Sequence, residues 1–414
     1  VEDAHFHINT FEIRLSPSME ERMPNLLKQI KSIFFDKTQV LAPGLYNYQA
    51  PQDSEYHYRL HLRIEPGGEG LLIINASTVL HLNQTATEYA YHLINQTPGP
   101  EAIETVVKRY QISFADVTND YENFMNRIET LINTPDLDPV TYLDFERSTP
   151  YIDFPIAPYR LDCAITYQLE NREKDGLTPN DRVKRELTFD EWKTILNKAW
   201  EAGIPHVIFT GGEPTLRPDL FELIIEAENH GMVTGLSTDG LKLSENKYLE
   251  QLLASGLDHL LITFDPENEQ SWEAIRDVIP QDIHTTVHLT VNLNDIEKYE
   301  KILTDLRSLG VENISLSYQN QNLENILIDL RNKAAEMGFN LDWDLSVPYS
   351  QFNPVSTEIE TTEPVLSGAG KAWLYIEPDG DTLPAQGFNK VLGNFLVDPW
   401  EWIWSNAKLL NKSQ

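Results

Sequence analysis

The segment from His206 to Leu243, HVIFTGGEPTLRPDLFELIIEAENHGMVTGLSTDGLKL, decides the fold. It opens with a short apolar run that reads as a buried strand and stops at Gly211 and Gly212, a turn signal. Pro214 fixes the exit from that turn. The next stretch, PDLFELIIEAENHG, carries apolar residues at three-to-four spacing and closes on a glycine, the signature of an amphipathic helix. A second apolar run then ends in Ser237, Thr238, Asp239 and Gly240. Strand, helix and strand in that order form a β/α unit whose two strands lie parallel.

The same alternation extends in both directions. Strands are expected at Arg160–Tyr167, His206–Thr210, Val233–Ser237, His259–Phe264, His284–Val291 and Asn313–Ser317, with amphipathic helices between them. Six units are too few to close an eight-stranded barrel, so the pattern predicts an α/β fold, either an open partial barrel or a doubly wound sheet. Beyond Asp342 come two Trp-bearing stretches that read as strand-like, KAWLYIEPDGDTLPA and the acidic-aromatic DPWEWIWSN, with a hairpin turn at Asp379-Gly380.

Upstream the pattern differs. From Tyr56, the runs YHYRLHLRI, LLIIN and TVLHLN read as three short strands, the first two separated by Pro66-Gly67-Gly68. Three helices follow, at Gln84–Ile94, Pro100–Tyr110 and Phe114–Ile132, with Asn83 or Thr85 as N-cap. Three strands and three helices make a winged-helix-like α+β module. Before it, FHINTFEIRL reads as a strand and MEERMPNLLKQIKSIFF as an amphipathic helix. The expected organisation is a lead-in over 1–55, the α+β module over 56–133, a linker over 134–151, the partial barrel over 152–340 and a C-terminal region over 341–414.

The 414 residues include 32 basic and 64 acidic side chains, a formal net charge of −32. Such a surface repels phosphate backbones and anionic lipid, so neither nucleic acid nor a membrane is an expected partner. A cationic peptide, a metal ion or a basic protein would be attracted. Cys163 is the single cysteine, so no intrachain disulfide, cysteine-based zinc site or cysteine-ligated iron–sulfur cluster can be assembled. Cys163 alternates with apolar neighbours in a strand and reads as a core thiol. No apolar run reaches 18 residues and VEDAHFHINT has no signal-peptide pattern, which makes a cytoplasmic protein the expectation. His5 and His7 form an isolated pair without further ligands.

In parallel β/α folds, ligands bind at the carboxyl ends of the strands. That rule selects Gly211, Gly212, Glu213 and Pro214, then Ser237, Thr238, Asp239 and Gly240, then Thr263 and Asp265, then Asn292, Asn294 and Asp295, and finally Ser317. The Gly-Gly-Glu-Pro turn reads equally as a backbone approach for a ligand and as a tight turn with a solvated glutamate.

The run from His206 to Leu243 resembles the S-adenosylmethionine-binding GGEP segment of radical SAM enzymes, and more narrowly of peptide maturases. RLDCAITYQLEN resembles that family's first barrel strand, STDG its third-strand end and LLITFDP its fourth. GAGKAWLYIEPDGDTLPAQGF with VLGNF is similar to the SPASM or twitch extension. LLIINASTVLHLNQTATEYAYHLINQTPGPEAIETVVKRYQIS resembles the RiPP recognition element, the leader-binding domain related to the pyrroloquinoline-quinone D protein. The resemblance implies a partial (β/α)6 TIM-like barrel of the radical SAM type, with the winged-helix-like domain before it and a SPASM/twitch-like extension after it. It assigns S-adenosylmethionine to Gly211, Gly212, Glu213, Pro214, Ser237, Asp239, Thr263, Asp265 and Asn292. It also places a leader peptide as an added strand beside Thr78–Leu82 and along Tyr121–Ile132, where Val79, Leu80, Leu82, Phe124 and Ile128 read as groove or core.

The family's three cluster cysteines, spaced C-x3-C-x2-C, fall on Leu169, Glu173 and Gly176, and its tail cysteines on Ser367 and Ala385. None is a thiol, and carboxylate from Glu173 is no substitute for three thiolates. No iron–sulfur cluster is expected, and without one no group in the chain delivers an electron to a bound sulfonium. Three functions compete. The first is a degenerate scaffold that binds a precursor peptide and presents it to an active maturase. The second is a cluster-free enzyme that keeps the barrel-mouth site for S-adenosylmethionine or another small ligand, with Glu213, Asp239 and Asp265 converging as acid, base or cation ligands. The third is a structural subunit of a larger complex.

Overall fold

Five strands in the first 82 residues share one sheet. The computed structural model describes residues 9–13, 40–51, 54, 58–76, 78–134, 146–147, 154–170, 176–342, 345–358 and 368–412. Residues 8–150 form one compact unit, and residues 151–414 with 1–7 form the other. In the first, strands β1 (Asn9–Ile13), β2 (Gly44–Gln49), β3 (Arg59–Ile64), β4 (Gly70–Ile74) and β5 (Thr78–Leu82) precede helices α1 (Gln84–Ile94), α2 (Gly99–Tyr110) and α3 (Phe114–Asn133). A short strand β6 (Glu146–Arg147) ends the unit, and the sheet order is β2-β3-β4-β5-β1-β6.

The turn between β3 and β4 needs its glycine. Gly68 has φ +81°, and a Cβ there would lie 2.6 Å from Cβ of Val40. Asn83 caps α1 by accepting from the Ala86 N–H at 3.0 Å, and Ser113 caps α3 by accepting from the Asp116 N–H at 3.1 Å. One sheet face brings Leu60, Leu62, Leu72, Leu80 and Leu82 against Tyr89, Val106, Phe124 and Ile128, a buried core. The lead-in is not a separate piece, because β1 and β2 both pair into this sheet. Its expected helix over 19–35 lies outside the described residues. The expected linker contains β6, which pairs with β1.

The second unit is built on β7 (Arg160–Thr166), α4 (Phe189–Glu201), β8 (His206–Gly211), α5 (Leu220–His230), β9 (Val233–Thr238), α6 (Asn246–Ala254) and β10 (His259–Thr263). It continues through α7 (Glu269–Val278), β11 (His284–Val291), α8 (Ile296–Ser308), β12 (Asn313–Tyr318), α9 (Glu324–Glu336) and β13 (Asn340–Asp342). Strands β7 to β13 are parallel and stand in the sheet in their sequence order. Sequential order leaves no switch point, so the sheet is not doubly wound. With the right-handed crossovers that β/α units take, the helices fall on one face and the sheet curls. No pairing joins β13 to β7 among the described residues, which makes the barrel open.

The parallel set is larger than six. Besides β13, β14 (Trp373–Ile376) pairs parallel with the free side of β7, and β15 (Asp381–Leu383) and β16 (Gly393–Asn394) continue from it antiparallel. DPWEWIWSN is not strand-like: α10 spans Trp400–Lys412, and Trp400 stacks on Trp404 one turn later at 5.2 Å. Trp404, Ile403, Ala407 and Leu410 are buried in the same core as the helix-side residues of β7 and β8.

Candidate functional site

The Gly-Gly-Glu-Pro turn ends β8, and its Gly212 and Glu213 N–H groups are bonded inside the chain. The Gly212 N–H donates to Thr166 O and the Glu213 N–H to Gln168 O, both at 2.8 Å, while Gly211 O accepts from the Tyr349 N–H at 2.7 Å. The glycines answer to this packing. A Cβ on Gly211, where φ is +127°, would lie 2.1 Å from Thr166 O, and one on Gly212 would lie 2.4 Å from Gln168 O.

Glu213 is not solvated. It is buried, and its carboxylate accepts from the Thr215 N–H at 2.9 Å, the Thr238 hydroxyl at 2.7 Å and the Asp239 N–H at 2.7 Å. It therefore braces the end of β8 to the end of β9. Beside it, burial and then the charge of Glu213 push the Asp239 carboxyl up to about 8. The Asp239 side chain accepts from the Leu241 N–H at 3.0 Å. Pro214 is buried at the start of a short 3-10 turn, Ser237 is buried within β9, and the Thr263 hydroxyl donates to Thr238 O at 3.2 Å.

Among the described residues, Asp265 shares no hydrogen-bond partner with these two carboxylates. Its side chain accepts from the Glu267 N–H at 3.0 Å and from Gln351 at 3.4 Å. Asp265 and Asn292 line a separate cavity of about 70 Å³ with Phe264, Thr290, Tyr299 and Phe352. Of the other strand-end residues, Asp295 caps α8 by accepting from the Lys298 N–H, and the Ser317 hydroxyl bonds His288. Among the described residues, no group of three histidine, cysteine or acidic side chains is arranged to hold a metal ion.

The cluster positions are equally uninviting. Leu169 and Gly176 follow β7 with no thiol, Ala385 is buried, and Glu173 and Ser367 lie outside the described residues. Cys163 is wholly buried in the core between sheet and helices, where burial, then Asp162, hold its thiol well above its ordinary range. This donor set does not fit a three-cysteine cluster. The N–H groups of Gly212 and Glu213 and the Glu213 carboxylate are partnered within the chain.

Sequence reasoning missed a polar plug beside β7. The Tyr167 hydroxyl donates to Glu377 at 3.0 Å and meets the Tyr375 hydroxyl at 3.4 Å. Arg182 spans Glu358 at 2.7 Å and Glu377 at 3.0 Å and donates to Asn389, while Tyr349 bonds Glu358. Tyr167, Tyr349 and Tyr375 pack with Ala164 and Leu383 in a small core of their own. Burial raises the Glu377 carboxyl against the opposing pull of Arg182. No local pattern marks these residues, since they come from four loops and β14.

These strand ends, sequential in order around an open sheet, invite comparison with known proteins. Residues 163–319 match the Radical SAM superfamily. Streptococcus suis SuiB, in a crystal structure bound to S-adenosylmethionine, superposes with a TM-score of 0.55 at 14% identity, covering 86% of this chain and 88% of SuiB. The barrel has the radical SAM fold. SuiB bound to its precursor peptide SuiA gives 0.54 at 14% identity, covering 83% and 86%. PqqA peptide cyclase of Bradyrhizobium diazoefficiens is 27% identical over 270 residues, which is 56% of this chain and 68% of the relative.

In the first unit, Val79, Leu80, Leu82, Phe124 and Ile128 are all buried, and all but Val79 belong to the core described above. They are packing residues in this state. Tyr121, Met125, Leu131 and Ile132 remain half-buried along α3.

Within the radical SAM fold, buried histidines give a pH test. Burial lowers His288 to about 4, and its ring bonds Ser315 at 3.1 Å and Ser317 at 2.9 Å. On acidification the unfolded chain binds a proton near pH 6.5 that the folded ring refuses until about pH 4, so this contribution is present above the unfolded value and falls as pH drops. Between pH 7 and 5 the loss is roughly 2 kcal/mol. In urea unfolding, the stability advantage of wild type over His288→Gln should shrink by that amount across the same interval.

Proposed function

We propose that this chain is a peptide-binding protein on a radical SAM scaffold that does not start radicals. In this reading, residues 56–133 are a RiPP recognition element that captures a ribosomally made precursor peptide. Residues 152–340 are a degenerate barrel and 341–414 a SPASM/twitch-like region, which support modification of that peptide by an active maturase. Two similar proteins support the peptide: one is named PqqA peptide cyclase, and the other, SuiB, crystallised with its precursor peptide SuiA.

One observation carries the loss of radical chemistry. The chain's single thiol, Cys163, lies inside β7, buried in the core. Low-potential electron transfer needs a cluster that one buried cysteine cannot hold. The net charge of −32 favours a basic peptide. Fluorescence anisotropy with synthetic peptides from short reading frames beside the gene tests this: one of them should bind with micromolar affinity, and binding by none rejects the reading.

A second reading, a cluster-free enzyme, draws on Asp239, whose carboxyl keeps its proton near neutral pH beside Glu213. Calorimetry with S-adenosylmethionine separates the two. The binding-protein reading expects no saturable heat, whereas the enzyme reading expects one that Glu213→Gln removes.

A further inference from the structure

We propose that residues 9–13 are a strand held in cis on the edge of β5, and that an extended peptide joins this protein by taking the same edge in its place. The identity of the incoming peptide rests on the peptide-binding reading above, whereas the occupied edge rests on strand register alone. Strand β1 runs parallel to β5 over five residue pairs, from Asn9 opposite Thr78 to Ile13 opposite Leu82. Among the described residues, its other side pairs at two positions, Phe11 opposite Arg147 and Glu12 opposite Glu146.

The rest of the sheet is put together differently. Strands β2 to β5 are a continuous antiparallel series in sequence order, and β3 to β5 share their core with the helices. Strand β1 comes from far upstream and joins the last member of that series parallel. It covers the whole length of β5, so β5 is an edge that the antiparallel series leaves to be filled from elsewhere. Main-chain hydrogen bonds at such an edge are largely indifferent to sequence, so a strand of this chain and a strand of another molecule compete for the same donors and acceptors.

The competition has a size. A segment of the same chain acts at an effective concentration of about 1 mM, so a cis strand with an intrinsic Kd of about 10 μM weakens capture of an outside peptide about 100-fold, and a precursor peptide that binds the wild type with micromolar affinity binds the open edge about 100-fold more tightly. The protein would then take a peptide fully only when its own strand is displaced.

The probe is the chain's own sequence, a fluorescein-labelled peptide of residues 5–16, HFHINTFEIRLS, titrated by anisotropy into full-length protein. In the variant Phe11→Pro/Glu12→Pro, adjacent prolines remove the ladder donor whichever of the two N–H groups faces β5. This variant should bind the peptide at least 30-fold more tightly than wild type, and equal binding by the two overturns the inference. A second measurement does not depend on the proline variant folding. Glu12→Cys/His81→Cys places thiols at paired positions, and Cys163 is buried. The pair should cross-link under mild oxidation, and 1 mM unlabelled peptide should slow the reaction about twofold. No cross-link, or a rate indifferent to the peptide, overturns the inference. If these results hold but peptides encoded beside the gene bind neither wild type nor the proline variant, the occupied edge stands and the peptide-binding reading falls. If those peptides bind both proteins equally, the reading stands and the inference falls.

Discussion

Gly211→Ala is expected to destabilise the ligand-free protein by about 4 kcal/mol, a fall of roughly 10 °C in Tm by thermal unfolding. The new Cβ would have to sit at φ +127° and 2.1 Å from Thr166 O, a backbone atom fixed by the pairing of β7 with β8. Relief therefore means breaking the ladder or moving the Tyr349 segment, whose N–H bonds Gly211 O. If the glycine served instead to admit a ligand, alanine would leave the free protein's Tm in place and remove a stabilisation by S-adenosylmethionine. Unfolding scans with and without that compound distinguish the two. A large fall that the compound does not change is the result expected of a turn kept for packing.

Arg182→Met should cost about 3 to 4 kcal/mol, because removing one partner of a buried ion group leaves the others uncompensated. Glu377 is 3% exposed and Glu358 9%, and without the guanidinium these two carboxylates share a pocket with Tyr167, Tyr349 and Tyr375. Adding Glu377→Gln to Arg182→Met should recover about half of the loss, since the amide still accepts from Tyr167 and one charge is gone. Urea unfolding of the single and double variants reads both. A double variant no more stable than the single would show that the tyrosines and Asn389, not charge balance, hold the plug.

How far these sites were legible in the sequence follows from how local their signals are. The β/α alternation lies within short windows, so strands from Arg160 to Tyr318 sit within a residue of where the apolar runs put them, and β11 coincides. Sequential strand order was open between two topologies, and only the pairings of β7 to β13 resolve it as a barrel. The Gly-Gly-Glu-Pro turn was visible as a turn, but Glu213 looked solvated because its partners, Thr238 and Asp239, lie a whole helix away. The Arg182 plug gave no signal, because Glu358 and Glu377 reach it from about 180 and 200 residues downstream without periodicity. In DPWEWIWSN the aromatic density suggested a strand, whereas Pro399 just before Trp400 and the spacing of Trp400, Trp404 and Ala407 carried the helix signal. At the other end, FHINTFEIRL read as a strand, yet nothing local could say that it would lie on β5.

In the proposed reading, this radical SAM scaffold does not initiate radicals with its own donor set. The direct measurement is anaerobic reconstitution of the full-length chain with iron and sulfide, followed by reduction and incubation with S-adenosylmethionine. A chain that holds no cluster leaves colourless protein after desalting and no 5′-deoxyadenosine above the buffer control. Protein that stays brown and produces 5′-deoxyadenosine would contradict that reading.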